Sequence, residues 1–181
     1  VKRKATVIED IRQIVEDKLA QMLARNPLRM NYEKKYQEII AAYNQDKDRA
    51  TVEDTFLKLI MHVNSLDAEQ RRVVEEGLSE DQLALFDLLQ RSDLSKVDRE
   101  RIKQGSRELL AGVLEVIAPL DRWTEKEQTQ AEVETFILDH VYQVLPEPPY
   151  TADDKLQVAA MVYRHIWQQS LSEGFSSHDG L

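Results

Sequence analysis

Four histidines, His62, His140, His165 and His178, are the residues of this chain best suited to ligate a metal or move a proton near neutral pH. Their spacing argues against a metal site. No two stand three or four residues apart, no Cys is present, and the nearby carboxylates Asp54 and Asp139 do not form a Glu-x-x-His pair. Ordinary packing or surface positions account for all four. The adjacent acids Asp153 and Asp154, and Glu75 and Glu76, fall at predicted helix ends, where dipoles and solvation explain them better than general acid–base work. No Ser sits in a Gly-x-Ser-x-Gly turn, and none of the five glycines opens a phosphate-cradling loop followed by Lys and a hydroxyl. A metal-dependent nuclease needs carboxylates converging at strand ends, and no strand is predicted. The expectation is therefore no catalytic, metal-binding or cofactor-binding residue in this chain.

Surface chemistry offers more. Trp123 and Tyr150 stand just before helix starts, partly exposed unless a neighbour or partner covers them, and Trp is enriched where interfaces concentrate their binding energy. Arg122 beside Trp123 joins it as a candidate partner contact. The formal net charge is −9, unevenly spread: residues 1–50 hold 11 Lys or Arg against 8 Asp or Glu, leaving 13 against 25 in the rest. Most of the chain would repel DNA. Only the first third, with Lys2, Arg3, Lys4, Arg25, Arg29, Lys34 and Lys35, offers cations to phosphate, and solvated helix faces explain those residues more simply.

The elements that must position these groups are helical. Ala, Leu, Glu, Gln and Lys are plentiful, Gly and Pro are below their usual shares, and no sustained period-two alternation marks a strand. A chain of 181 residues buries roughly 70% of its unfolded surface, enough for one or two domains without staples. Ile8, Ile11, Val15, Leu19, Met22 and Leu23 stripe one helix from Thr6 to Arg25, which "NPLR" ends. Tyr36, Ile39, Ile40 and Tyr43 stripe the next. Thr51 with Asp54 opens a third, carrying Val52, Phe56, Leu59, Ile60 and Val63; "NSLDAEQ" offers a second start, so the stretch to Glu76 reads as one bent helix or two.

Gly77 suits a left-handed helix end, and Ser79 with Gln82 forms a capping box in which Leu78 can staple to Leu83. Ser95 with Asp98 caps a long helix to Pro119, whose internal Gly105 and Gly112 read as close approach of a neighbouring helix or as a tolerated weakness. Thr124 with Glu127 looks like the fullest capping box, leading into Val133, Phe136, Ile137, Val141 and Val144. After the stiff connector "PEPPY", Thr151 and Asp154 open a last helix lined by Leu156, Ala160, Tyr163 and Trp167. The prediction is an all-α, irregular bundle of seven or eight helices without a sheet. Its expected parts are an N-terminal helical segment over 1–77, a C-terminal bundle over 78–175 and a frayed tail over 176–181. No apolar run is long enough to span a bilayer and no signal peptide is legible, so no membrane partner and a cytoplasmic location are expected; the opening "VKRKATVIED" without Met fits a fragment or processed chain.

The stretch "GLSEDQLALFDLL", the long "RIKQGSRELLAGVLEVI", then "LDRWTEKEQTQAEVETFILDHVYQVL" and a proline-containing connector into a final helix together resemble the C-terminal helical region of the restriction (R) subunit of type I restriction-modification enzymes. Upstream, "ATVIEDIRQIVEDKLAQMLARNPLRMNYEKKYQEIIAAYN" is similar to the helices that precede that region. The resemblance runs from about Ala5 to Phe175. Its marks are Gly77, Leu78, Ser79, Asp81, Leu83, Phe86, Asp87 and Leu89, with the pair Trp123 and Thr124. It implies a parent subunit with a nuclease domain and two helicase-like motors using ATP and Mg, whose motifs have no counterpart here. It also implies that this piece is the noncatalytic end of the subunit, docking on the modification (methyltransferase) subunit and reaching DNA through the parent complex. Two rivals stand beside it: a DNA-tracking spacer using Lys34 and Lys35, and an unrecognised helical enzyme.

Overall fold

Helix-forming residues with apolar groups at steps of three and four build nearly all of the chain. The computed structural model describes residues 2–172, which contain seven α-helices, two 3₁₀ turns and no strand. They are α1 (Lys2–Arg25), α2 (Met30–Gln45), α3 (Arg49–Glu76), α4 (Glu80–Leu89), α5 (Lys96–Ile117), α6 (Glu127–Val144) and α7 (Ala152–Leu171), with 3₁₀ turns at Pro27–Arg29 and Trp123–Glu125. The all-α expectation holds. The predicted tail over 176–181, and His178 within it, lie outside the described residues. Contacts divide the chain into two compact units with the boundary between Gly77 and Leu78.

In the first unit α3 packs along both α1 and α2. Ile8, Val15, Leu19 and Met22 of α1 meet Tyr36, Ile40 and Tyr43 of α2 and Val52, Leu59 and Leu66 of α3 in one apolar core. The chain turns between α1 and α2 because Pro27 has no N–H to donate; Asn26, extended and fully buried, accepts from the Leu28 N–H at 3.1 Å. That turn delivers Arg29 inward, where its Nε donates to Glu69 Oε1 at 3.2 Å. Arg72 Nη1 donates to the same oxygen at 3.0 Å and the Tyr32 hydroxyl to Glu69 Oε2 at 3.3 Å. Three segments are thus tied by one carboxylate. Arg29 is accordingly neither a solvated cation nor a phosphate contact.

Two local expectations change here. The start of α3 is set by Asp48, whose side chain accepts from the Thr51 N–H at 2.7 Å, so Thr51 lies inside the first turn and Asp54 pairs with Lys58 at 2.7 Å. The stretch over 49–76 is one continuous helix, since Ser65 turns its hydroxyl back onto the His62 carbonyl at 2.8 Å instead of starting a new turn. Ile60 of the predicted stripe is exposed, and His62 takes a buried place. Gly77 closes α3 in the left-handed conformation at φ 66°, donating to Val73 and Val74.

The second unit is a closed ring of four helices, α4 on α5, α5 on α6, α6 on α7, and α7 back on α4. Ser79 and Gln82 make the reciprocal capping box, and Leu78 and Leu83 are both buried beside it. Ser95 caps α5 through the Asp98 N–H. Gly105 and Gly112 let α6 come close: a Cβ at the first would meet both Val144 methyls, one at 2.8 Å, and a Cβ at the second would meet the Phe136 ring, with Cε1 at 3.0 Å. The connector before α7 is pinned by Tyr150, whose buried hydroxyl donates to Leu89 O at 2.5 Å, and by Arg91, which donates to Pro149 O at 3.3 Å and lies over the Tyr150 ring. Burial pushes the Tyr150 hydroxyl up to about 12. Thr151 and Asp154 then make a second reciprocal capping box.

Candidate interaction surface

Among the described residues the three histidines His62, His140 and His165 stay apart and serve packing. His140 faces the Gly105 carbonyl at 3.2 Å, His165 is buried on α7 and held below its usual pKa by that burial, and His62 is buried on α3. Among the described residues no three His, Asp or Glu side chains converge as a metal site would require. Asp153 and Asp154 sit in the first turn of α7, where the helix dipole favours them, and Asp154 is held below its usual pKa by the Thr151 N–H it accepts from. Glu75 and Glu76 end α3, the opposite pole, so the helix dipole does not account for them.

The expected box at Thr124 and Glu127 does not form. Thr124 lies within the 3₁₀ turn, and Lys126 stands at the start of α6 without a side-chain cap. Trp123 is the reason: it is only 4% exposed, and drawing it inward makes a tight turn of the residues that would have led α6. The turn is fastened from α6 by the Thr129 hydroxyl, which donates to Trp123 O at 2.7 Å, and by Gln130 Nε2, which donates to Thr124 O at 2.7 Å. Arg122 enters the turn at φ 49°, a left-handed conformation that L side chains rarely adopt and that is found disproportionately at functional sites. Its guanidinium is exposed and faces Glu125 at 3.7 Å.

Trp123 packs edge-on against two rings of α7, Tyr163 at 6.1 Å and Trp167 at 5.6 Å, and those two stand 6.0 Å apart. Burial, then the Glu134 charge, raises the Tyr163 hydroxyl above its usual pKa. The Trp123 indole N–H is buried without a hydrogen-bond partner. A donor left in that state costs about 1–3 kcal/mol. Intramolecular packing therefore covers Trp123, and Tyr150 likewise, each buried within the second unit.

The cluster also changes the expected face of α7. The residues that fill the core are Ala159, Val162 and Ile166, joined by Lys155, His165 and Gln169. Leu156, Ala160, Tyr163 and Trp167, which line up in the sequence, lie about one helical step round: Leu156 and Ala160 are exposed and the two rings half-buried under Trp123. The helix has two apolar faces, and the ring of helices uses one. Leu156 is 48% exposed, with Met161 and Tyr142 also open to solvent. Residue periodicity carried this signal, since a helix with both stripes apolar has more than a single core can take.

Several basic residues of the first third are engaged by carboxylates. Lys4 pairs with Glu53 at 3.4 Å and Lys18 with Asp67 at 2.5 Å, while Arg29 is buried on Glu69. Lys34 and Lys35 are both exposed on α2. No helix among the described residues is long and apolar enough to cross a membrane. Residues 1–170 match the model of the family described as "Type I restriction enzyme HindI endonuclease subunit-like, C-terminal". No curated protein and no solved structure matches the chain.

Proposed function

From the premise that this chain belongs to the C-terminal family of type I restriction endonuclease subunits, we propose that it is a noncatalytic helical assembly domain that docks on the modification (methyltransferase) subunit of the complex. The observation that carries this is the second apolar face of α7, where Leu156 and Ala160 stay open beside the Trp123, Tyr163 and Trp167 cluster. Arg122 at the mouth of the turn supplies a charged rim, and Trp, Tyr and Arg are the residue types that concentrate interface energy. A partner reaches Arg122 and the α7 rings directly; Trp123 acts from beneath, holding those rings in place.

DNA translocation and cleavage, with the ATP and Mg they need, belong to the rest of the parent subunit. The residues here do not fit either group. Gly77 ends a helix, Gly105 and Gly112 are packed against α6, and no carboxylate cluster converges among the described residues. The DNA-tracking alternative rests on Lys34 and Lys35, whereas Lys4, Lys18 and Arg29 are engaged by carboxylates.

The experiment is a titration of the 181-residue chain against the modification complex of the same system, with a nonspecific duplex in parallel at two salt concentrations. Saturable binding to the complex, weakened about tenfold or more by Leu156→Glu, is the expected result, a change of ~1.4 kcal/mol. Salt-sensitive binding to duplex alone, lost on neutralising Lys34 and Lys35, would move the function to DNA tracking.

A further inference from the structure

The groove between α5 and α6 carries an inference in which the α7 surface takes no part. It spans about 610 Å³, with Val116 of α5 and Ala131, Glu132, Phe136 and Asp139 of α6 in its lining. Phe136 follows Glu132 by four residues and precedes Asp139 by three, so one ring is bracketed by a carboxylate a turn away on each side. Both carboxylates are exposed, and neither has an ion-pair partner among the described residues. The ring itself is half-buried. Its tip closes on Gly112 and it stacks on His140 at 5.9 Å, so it is held in place while still lining the groove.

The charge along this groove is of one sign. α6 carries Glu127, Glu132, Glu134 and Asp139 and no Lys or Arg. The two helices run antiparallel, since Gly105 faces Val144 and Gly112 faces Phe136. The exposed Glu115, three residues past Gly112, therefore stands on the facing helix at the Glu132 end. Arg101, towards the opposite end, donates to the Gln143 carbonyl at 2.7 Å. A cleft lined by one sign of charge concentrates its field on whatever enters it.

The same unit contains this arrangement in a filled form. Arg91 lies over the Tyr150 ring at 5.4 Å and pairs with Asp93 at 3.1 Å and Asp154 at 3.5 Å. Arg99 likewise lies over Phe86 at 4.9 Å. At Phe136 the ring and the two carboxylates are in place, and no Arg or Lys among the described residues lies over them.

We propose that this groove takes an arginine-bearing segment of a partner protein, its guanidinium laid over Phe136 and forked between Glu132 and Asp139. Apolar groups of the segment rest on Val116 and Ala131. The chemistry of the groove selects this occupant. Its carboxylates repel DNA and anionic lipid, its aromatic face favours a planar guanidinium over an ammonium, and its apolar lining favours a protein segment over free arginine. The proposal stands whether or not α7 docks on the modification subunit.

The test uses the full chain and a synthetic peptide with one central arginine between leucines, of about ten residues, which covers the roughly 10 Å from Glu132 to Asp139 along α6. Twin peptides carry lysine or citrulline in place of the arginine. Anisotropy of the labelled peptide and the Phe136 ring resonances are followed together. Saturable binding of the arginine peptide that moves the Phe136 resonances is expected, with affinity about tenfold lower for citrulline and intermediate for lysine. Glu132→Gln with Asp139→Asn should weaken the arginine peptide about tenfold or more; both side chains are exposed, so the variant keeps the fold. Phe136→Leu should erase the preference for arginine over lysine and keep the preference over citrulline. Glu134→Gln, on the same helix but outside the groove lining, should leave affinity unchanged. Equal affinity for the arginine and citrulline peptides, binding without movement of Phe136, or no saturable binding overturns the proposal. So does a loss from Glu134→Gln as large as that from Glu132→Gln alone, which would reduce the groove to a diffuse acidic surface.

Discussion

The two units are made of the same kind of helix and are specified in different ways. Residues 1–77 hold 14 Lys or Arg and 14 Asp or Glu, whereas residues 78–181 hold 10 and 19. The neutral unit places charge inside: Arg29 and Glu69 are both buried and bonded, with Arg72 and Tyr32 completing the set. The acidic unit also buries charges, Asp81, Lys103 and Lys155, but on three different helices, and it sets the approach of α6 to α5 by shape, with Val144 and Phe136 of α6 against Gly105 and Gly112 of α5. A buried ion pair contributes little net stability against an apolar replacement, yet removing one partner is severe because the other is stranded. A glycine notch fails differently, by overpacking.

The sharpest way to break the comparison is Glu69→Ala. Stranding Arg29 should cost about 3–5 kcal/mol in chemical denaturation, while the joint replacement Arg29→Met with Glu69→Leu should recover most of that loss. If the single change is mild, the first unit does not depend on its internal charge. Gly105→Ala is the counterpart in the second unit. Its Cβ would press on both methyls and the Cβ of Val144, so a net cost of about 1–3 kcal/mol is expected despite the better helix propensity of Ala. Gly112→Ala should cost less, because it meets the far end of the Phe136 ring, which is half-buried and can swing. Equal costs at the two positions would mean that α5 and α6 separate as rigid bodies.

A smaller effect is set by pH. His62 is held below its usual pKa by burial first and the Lys35 charge second, with the Tyr32 backbone and Glu33 acting the other way. The unfolded chain therefore takes up the proton before the folded one does. Stability tied to His62 is complete above the unfolded value near 6.5 and is lost as pH falls below it. Replacing the buried ring by His62→Leu should flatten that acid limb in pH-resolved melts. His165, lowered by burial alone, leaves its own acid limb in the second unit. Smallest of all is the pair Thr151→Ala and Thr124→Ala. The first removes a real cap and should cost about 1 kcal/mol, and the second should change thermal stability very little, since its hydroxyl caps nothing.

Most of the helical grammar was legible because it is local. Ser79, Ser95 and Thr151 cap as their neighbours three residues on predict, Gly77 ends its helix, and Gly105 and Gly112 signal a near neighbour. What escaped is what distance decides. The Arg29 to Glu69 contact joins residues 40 apart, and no periodicity announces it. The cap at Thr124 yielded to a tertiary demand, the burial of Trp123. On α7 both faces have helical spacing, and spacing by itself does not say that the smaller Ala159 and Val162 fill the core while Tyr163 and Trp167 receive Trp123. The surface around Arg122 is half legible: Trp123 stands out in the sequence, but nothing local pairs it with Tyr163 and Trp167, the aromatic pair four residues apart that receives it.

The notches in α5 also bear on how this sequence can drift. Gly105 and Val144 occupy one space, as do Gly112 and Phe136, so neither member of a pair is free to vary by itself. A relative with Ala at the position of Gly105 should carry a smaller residue at the position of Val144. The looser pair, closed by the tip of a ring, should tolerate exchange at either position first. The two contacts are seven residues apart on one helix, and they predict unequal evolutionary clocks along it.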